Sequence, residues 1–91
     1  AMKHKYVRHE TLGVVIFPAD TDLSHRLIGR AMDYAEHEFG GNGKVISAGF
    51  VWIGRESVHV EGRSESLNMD RLPDDADVIK KQLRIASTEA A

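Results

Sequence analysis

Apolar residues in this chain fall into blocks of two kinds, some with the two-residue period of a strand and some with the wider spacing of a helix. From Lys44 to Glu65 the sequence KVISAGFVWIGRESVHVEGRSE is dominated by Val, Ile, Phe and Trp. Such bulky or β-branched side chains fit a pleated, half-buried surface. Gly54-Arg55-Glu56-Ser57 interrupts the block as a tight turn, so the stretch predicts a hairpin around which the rest of the chain is built. Upstream, Tyr6-Val7 and the unbroken Val14-Val15-Ile16-Phe17 predict two shorter strands, the second buried on both faces. Glu10-Thr11-Leu12-Gly13 joins them as a turn, with Gly13 free to take a positive φ.

Two stretches carry helical spacing. After Pro18, Asp20-Thr21-Asp22 is a helix-start signal in which Thr21 or Asp22 can accept from the orphan amides of the first turn. Leu23, Leu27, Ile28, Ala31, Met32, Tyr34, Ala35 and Phe39 then gather on one side, which predicts the packed face. Asp22, His25, Arg26, Gly29, Asp33, Glu36 and His37 gather on the other, and Gly40 or Gly41 supplies the C-terminal cap. A second helix opens at Pro73-Asp74-Asp75, with Val78, Ile79, Gln82, Leu83 and Ala86 on one face. The link from Ser64 to Leu72 reads as irregular, anchored by Leu67 and Met69, and residues 87–91 as a frayed tail after a structured 2–86.

The expectation is therefore an α+β fold in ββαββα order: a two-layer sandwich with a four-stranded, mainly antiparallel sheet and two helices on one face. Phe17-Pro18-Ala19-Asp20-Thr21-Asp22-Leu23 and Leu72-Pro73-Asp74-Asp75-Ala76-Asp77-Val78 share an apolar-Pro-x-Asp-x-Asp-apolar pattern. It suggests a duplication with pseudo-twofold symmetry, but Pro and Asp are also what helix starts generally use, and that explanation is preferred.

Pairing the hairpin about its turn sets Ile53 opposite Val58 and Val51 opposite Val60 on one face. Trp52 then meets His59, Phe50 meets Glu61 and Ala48 meets Arg63 on the other. With both helices on the first face, Ile46, Phe50 and Trp52 would lack a cover, although burying such side chains is worth about 1.5–3 kcal/mol each. The expectation that follows is a homodimer formed through this face, with Ile46, Phe50, Trp52, His59 and Arg63 at the interface, or another protein in the same place. A one-residue slip in register would turn the same aromatics into the chain's own core.

Length and composition narrow the function without naming it. Ninety-one residues make one small domain, 1–91, with a single core. No apolar run nears the ~18 residues of a spanning helix, and the polar strand after Lys3-His4-Lys5 is not a signal-peptide pattern. Cysteine is absent, which removes thiol chemistry and suits a reducing cytoplasm. A net charge of −2 disfavours a duplex-DNA binder.

The candidate chemistry is sparse. Gly40-Gly41-Asn42-Gly43-Lys44 fails as a phosphate loop, because Glu38 and Val45 stand where Gly and Ser or Thr are needed. Ser24, Ser57 and Ser64 have histidines nearby in sequence but no nucleophile elbow. Asp20 with Asp22, and Asp74 with Asp75 and Asp77, read as capping carboxylates with no sign of burial. Asp22, His25, Asp33 and His37 share a helical face, and are an alternative metal set for an enzyme completed at a dimer seam. Phe50, Trp52, Arg55, His59 and Arg63 are an alternative single-strand nucleic-acid surface, combining stacking rings with cations, though Glu56, Glu61 and Glu65 would repel phosphate. No cofactor is implied, and the preferred reading is a non-enzymatic protein that acts through protein contacts.

Overall fold

The computed structural model describes residues 2–90, with side chains described through Arg84. Strand β1 (Met2–His9) lies between β2 (Gly13–Pro18) and β3 (Val45–Ile53), and β3 pairs with β4 (Val58–Glu61). Every pairing is antiparallel, and the sheet order is β2-β1-β3-β4. The hairpin register is the expected one, with Ile53 opposite Val58, Val51 opposite Val60, Trp52 opposite His59 and Phe50 opposite Glu61.

The hairpin ends earlier than its pattern suggests. Gly62 takes φ 67, a left-handed conformation open to glycine and strained for other residues, and the chain leaves β3 there. Arg63 therefore does not continue opposite Ala48. It starts a short strand, β5 (Arg63–Ser64), paired with β6 (Met69–Asp70) inside the link expected to be irregular.

Helix α1 (His25–Glu38) is capped two residues later than Asp22, the latest cap expected. Ser24 is the N-cap and accepts from the Leu27 amide. The Thr21 hydroxyl instead donates to the Pro18 carbonyl and accepts from the Leu23 amide, closing the turn ahead of the helix. At the far end Gly40, at φ 79, supplies the expected left-handed exit. Helix α2 (Asp75–Ala90) opens as its sequence predicts. Its backbone is helical to Ala90, through the stretch expected to fray, and Ala91 lies outside the described residues.

The α+β class, the four-stranded antiparallel sheet and the two packed helices match the pattern reading. The layering differs from it, and strand alternation shows how. Tyr6, Val14 and Val51 pack with Ile79 of α2, joined by Ile16, Ile53, Val58, Val60, Val78 and Leu83. Val7, Phe17 and Ala48 pack with Met32 of α1, joined by Ile28, Val45 and Leu67. Tyr6 and Val7 are successive residues of one strand, so they point to opposite faces. The helices therefore lie on opposite faces and not together on one. This also disposes of a pseudo-twofold duplication: the axis exchanging antiparallel neighbours β1 and β3 runs normal to the sheet and would keep both helices on one side.

Central placement explains how β1 works despite its polar sequence. Tyr6 and Val7 are both fully buried, one on each face. The charged residues around them are tied down: Lys5 donates to the Leu23 carbonyl, and Arg8 pairs with Asp74 and Asp75.

Candidate functional site

The hairpin face expected to lack a cover has one in part. On that face Lys5 lies opposite Phe50 and Lys3 opposite Trp52. The Phe50 ring meets the His25 ring edge-on, centroids 5.3 Å apart and planes at 86°, and Lys3 Nζ sits 4.6 Å from its centre. His25 in turn makes an edge contact with Phe17. The Trp52 indole N–H donates to Glu61 on the neighbouring strand. Ile46, Phe50 and Trp52 are half-buried and His59 is exposed. Arg63 has left the sheet and is held by Asp70, Glu65 and the Asn68 side chain. Arg55 sits at the hairpin tip beside α2, lining a groove of about 690 Å³ with Lys80 and Arg84, so it does not join the aromatic pair.

The helical quartet Asp22, His25, Asp33 and His37 does not come together. His25 is buried against the sheet, and its Nε2–H donates to the Gly49 carbonyl at 2.7 Å. Burial pushes its pKa down, nearby Lys5 adds to that, and the Gly49 bond opposes it. Asp22, Asp33 and His37 are exposed. Among the described residues, no group of three or more His, Asp or Glu side chains is arranged to hold a metal ion.

Two polar clusters that sequence reasoning missed are buried. In the first, the Asp75 carboxylate is fully enclosed. Its Oδ1 accepts from Arg8 at 2.9 Å and Ser47 at 2.8 Å, and its Oδ2 from Tyr6 at 2.5 Å and the Leu72 amide at 2.8 Å. Burial, reinforced by the bond to Asp75, pushes the Tyr6 phenol far above its ordinary pKa. The hydrogen bond from Arg8 holds the Asp74 carboxyl below its ordinary range. Asp75, expected to cap α2 with no sign of burial, is instead enclosed: its carboxylate accepts from the Leu72 amide ahead of the helix and ties α2 to β1 and β3. Nothing in the local Pro-Asp-Asp pattern signals that, because its partners lie far off in the chain.

In the second cluster, His9 is buried beside Glu36 and Thr11. Its Nδ1 accepts from the Thr11 and Leu12 amides at 3.2 and 3.4 Å, which stitches the β1–β2 turn and leaves the proton on Nε2. Thr11 donates to Glu36. Among the described residues Nε2 has no hydrogen-bond partner although it is buried, and it lies 3.5 Å from Asp33. Apart from His9 Nε2, the groups of both clusters are engaged in holding elements together.

Helix α1 is where the surface departs most from expectation. Its buried residues are His25, Gly29, Met32 and Glu36, three of them from the face read as polar. Gly29 brings the helix close to Val45 and Leu67, since a Cβ there would lie 3.2 Å from Leu67. The sheet therefore takes the small and polar side of the apolar arc. Leu27, Ala31 and Tyr34 run along the opposite side, in solvent: Leu27 is 54% exposed and Tyr34 68%, and Phe39 just past the helix is 85% exposed. Leu23, before the helix, is exposed as well.

Among the described residues no helix is long and apolar enough to cross a membrane. No protein-family model matches the chain, and searches of curated proteins and of solved structures return no match either.

Proposed function

We propose that this protein works by binding another polypeptide through the outward face of α1, and not by catalysing a reaction. The observation that carries this is the solvent-facing stripe of Leu27, Ala31 and Tyr34, with Leu23 exposed before the helix and Phe39 just past it. The 3.6-residue period puts Leu27, Ala31 and Tyr34 on one side of the helix, and exposed apolar side chains grouped in this way mark an interaction site. Aromatic residues such as Tyr34 and Phe39 are also the types enriched where proteins meet.

The reading keeps the contact function expected from the hairpin but moves its surface. Ile46, Phe50 and Trp52 are half-buried, with His25, Lys3 and Glu61 against the two rings, and leave less apolar area to cover than α1 does. Single-strand binding has less support, because the Arg63 guanidinium is occupied by acidic and amide partners. The buried Asp75 and His9 clusters support binding over catalysis, since their hydrogen bonds join β1 and β3 to the start of α2 and hold the β1–β2 turn. A chain without cysteine fits a reducing cytoplasm.

A photocrosslinking residue in place of Tyr34, in the source cell, tests the proposal. It is expected to trap a discrete protein adduct that the same residue in place of exposed Asp77 does not. Equal or absent adducts at the two positions would remove it.

A further inference from the structure

The two outer edges of the sheet are finished differently. In an antiparallel sheet, successive residues of an edge strand turn their N–H and C=O alternately to the neighbouring strand and to solvent. On β2 the outward set is Val14, Ile16 and Pro18. The Val14 N–H donates to Gln82 Oε1 at 2.9 Å and its C=O accepts from Gln82 Nε2 at 2.7 Å, so one side-chain amide stands where a further strand would. Pro18 has no N–H, and its C=O accepts from Thr21. That leaves Ile16 as the single open position.

On β4 the same alternation turns His59 and Glu61 toward β3, and Val58, Val60 and then Gly62 outward. Two contacts fix the phase. The Gly54 N–H donates to the Ser57 C=O at 2.9 Å, in step with the Trp52–His59 and Phe50–Glu61 pairs. The Gly62 C=O is reached from the other side by Arg71 at 3.0 Å. Among the described residues nothing bonds the outward N–H and C=O groups of Val58 and Val60, and β4 is the last strand of its sheet. The chain closes one edge and leaves the other open.

We propose that β4 takes an extended, acidic segment of a partner polypeptide as a fifth strand. Free backbone groups at a sheet edge supply the binding bonds, and the flanking side chains select the partner. Val58 and Val60 pack toward α2, so every second side chain of an added strand lies on that same side. There Arg55, Lys80 and Arg84 line the groove of about 690 Å³ that begins at Val58, and Arg71 stands at the other end of the strand. Against these cations the groove holds one acid, Glu56. The ion pairs among the described residues include none with Arg55, Arg71 or Lys80. On a chain of net charge −2 this is a local positive strip, matched by carboxylates at alternate positions of the incoming strand. The surface lies on the face opposite α1 and does not rest on the contact reading above.

The probe is a fluorescein-labelled synthetic peptide, (Glu-Thr)4, with (Lys-Thr)4 as its charge-reversed control. Fluorescence anisotropy is expected to show saturable binding of the first at low ionic strength, weakening as salt is added, and none of the second. Val60→Pro removes an outward N–H without touching a bond to β3, a change that edge strands tolerate. It should raise the dissociation constant roughly tenfold, as should Arg55→Glu combined with Lys80→Glu, with circular dichroism confirming that each variant folds. Amide hydrogen exchange reads the contact directly: the peptide should slow Val58 and Val60 and leave His59 and Glu61 unchanged.

Absence of saturable binding overturns the proposal, as does equal affinity for the two peptides. Undiminished binding by a folded Val60→Pro, or exchange at Val58 and Val60 that the peptide does not slow, would place the peptide elsewhere and overturn it too. Light scattering that gives a dimer, with Val58 and Val60 already protected before peptide is added, would show the edge taken by a second copy, with the same result. Should Val60→Pro not fold, the double charge variant and exchange in the wild type still decide.

Discussion

The carboxylate of Asp75 accepts from four donors that reach it from three parts of the chain: Tyr6 and Arg8 on β1, Ser47 on β3, and the Leu72 amide ahead of α2. A buried charge is tolerated only when its neighbours satisfy it, and removing one member leaves the others stranded. Asp75→Ala is therefore expected to cost about 3–5 kcal/mol of unfolding free energy, read by urea denaturation. A loss below about 1 kcal/mol would show that the network relaxes or rehydrates at little cost. His25 gives a second prediction at this scale. Its folded pKa lies below the ordinary 6.5, so on acidification the unfolded chain takes up the proton first. Its contribution to stability is fully present above pH 6.5 and is lost as pH falls from there through the folded pKa. Urea midpoints measured between pH 8 and 5 should fall more steeply for the wild type than for His25→Gln. Parallel slopes would mean that the histidine is not held neutral by the fold.

At the scale of the element, α1 has an apolar arc wider than the surface it packs against. Met32 is buried and Leu27 is not, although periodicity puts both on one side. Met32→Ala is accordingly expected to destabilise the chain by about 2–4 kcal/mol. Leu27→Ala should change stability by less than about 0.5 kcal/mol. Comparable losses at the two positions would place the packed face where periodicity alone put it. The hairpin is the opposite case. Its register could be read from sequence because a two-residue period joined by one short turn leaves a single alignment that keeps Val51, Ile53, Val58 and Val60 together. Its end could not, since the break rests on the conformation of Gly62.

For the whole molecule, the decisive fact is that the N-terminal strand is central. β1 is hydrogen-bonded on both sides and supplies Tyr6 to one core cluster and Val7 to the other. Terminal segments usually tolerate trimming unless they are tied into the fold in this way. Deleting residues 2–9 is expected to abolish the cooperative urea transition, whereas a chain that still unfolds cooperatively would show that β1 is dispensable.

Local chemistry was enough to specify the four strands of the main sheet, both helices, the hairpin pairing and the α+β class, because each depends on period and turn residues within a few neighbours. Tertiary structure alone decided three further matters: that the helices take opposite faces, that His25 and Glu36 turn inward while Leu27 and Tyr34 turn out, and that Asp75 is buried. The physical reason is common to all three. Burial depends on which distant surface arrives, and the sheet meets α1 on the side where Gly29 allows close approach. An amphipathic pattern states how much of a helix is apolar; only the partner surface determines which part of that arc is covered.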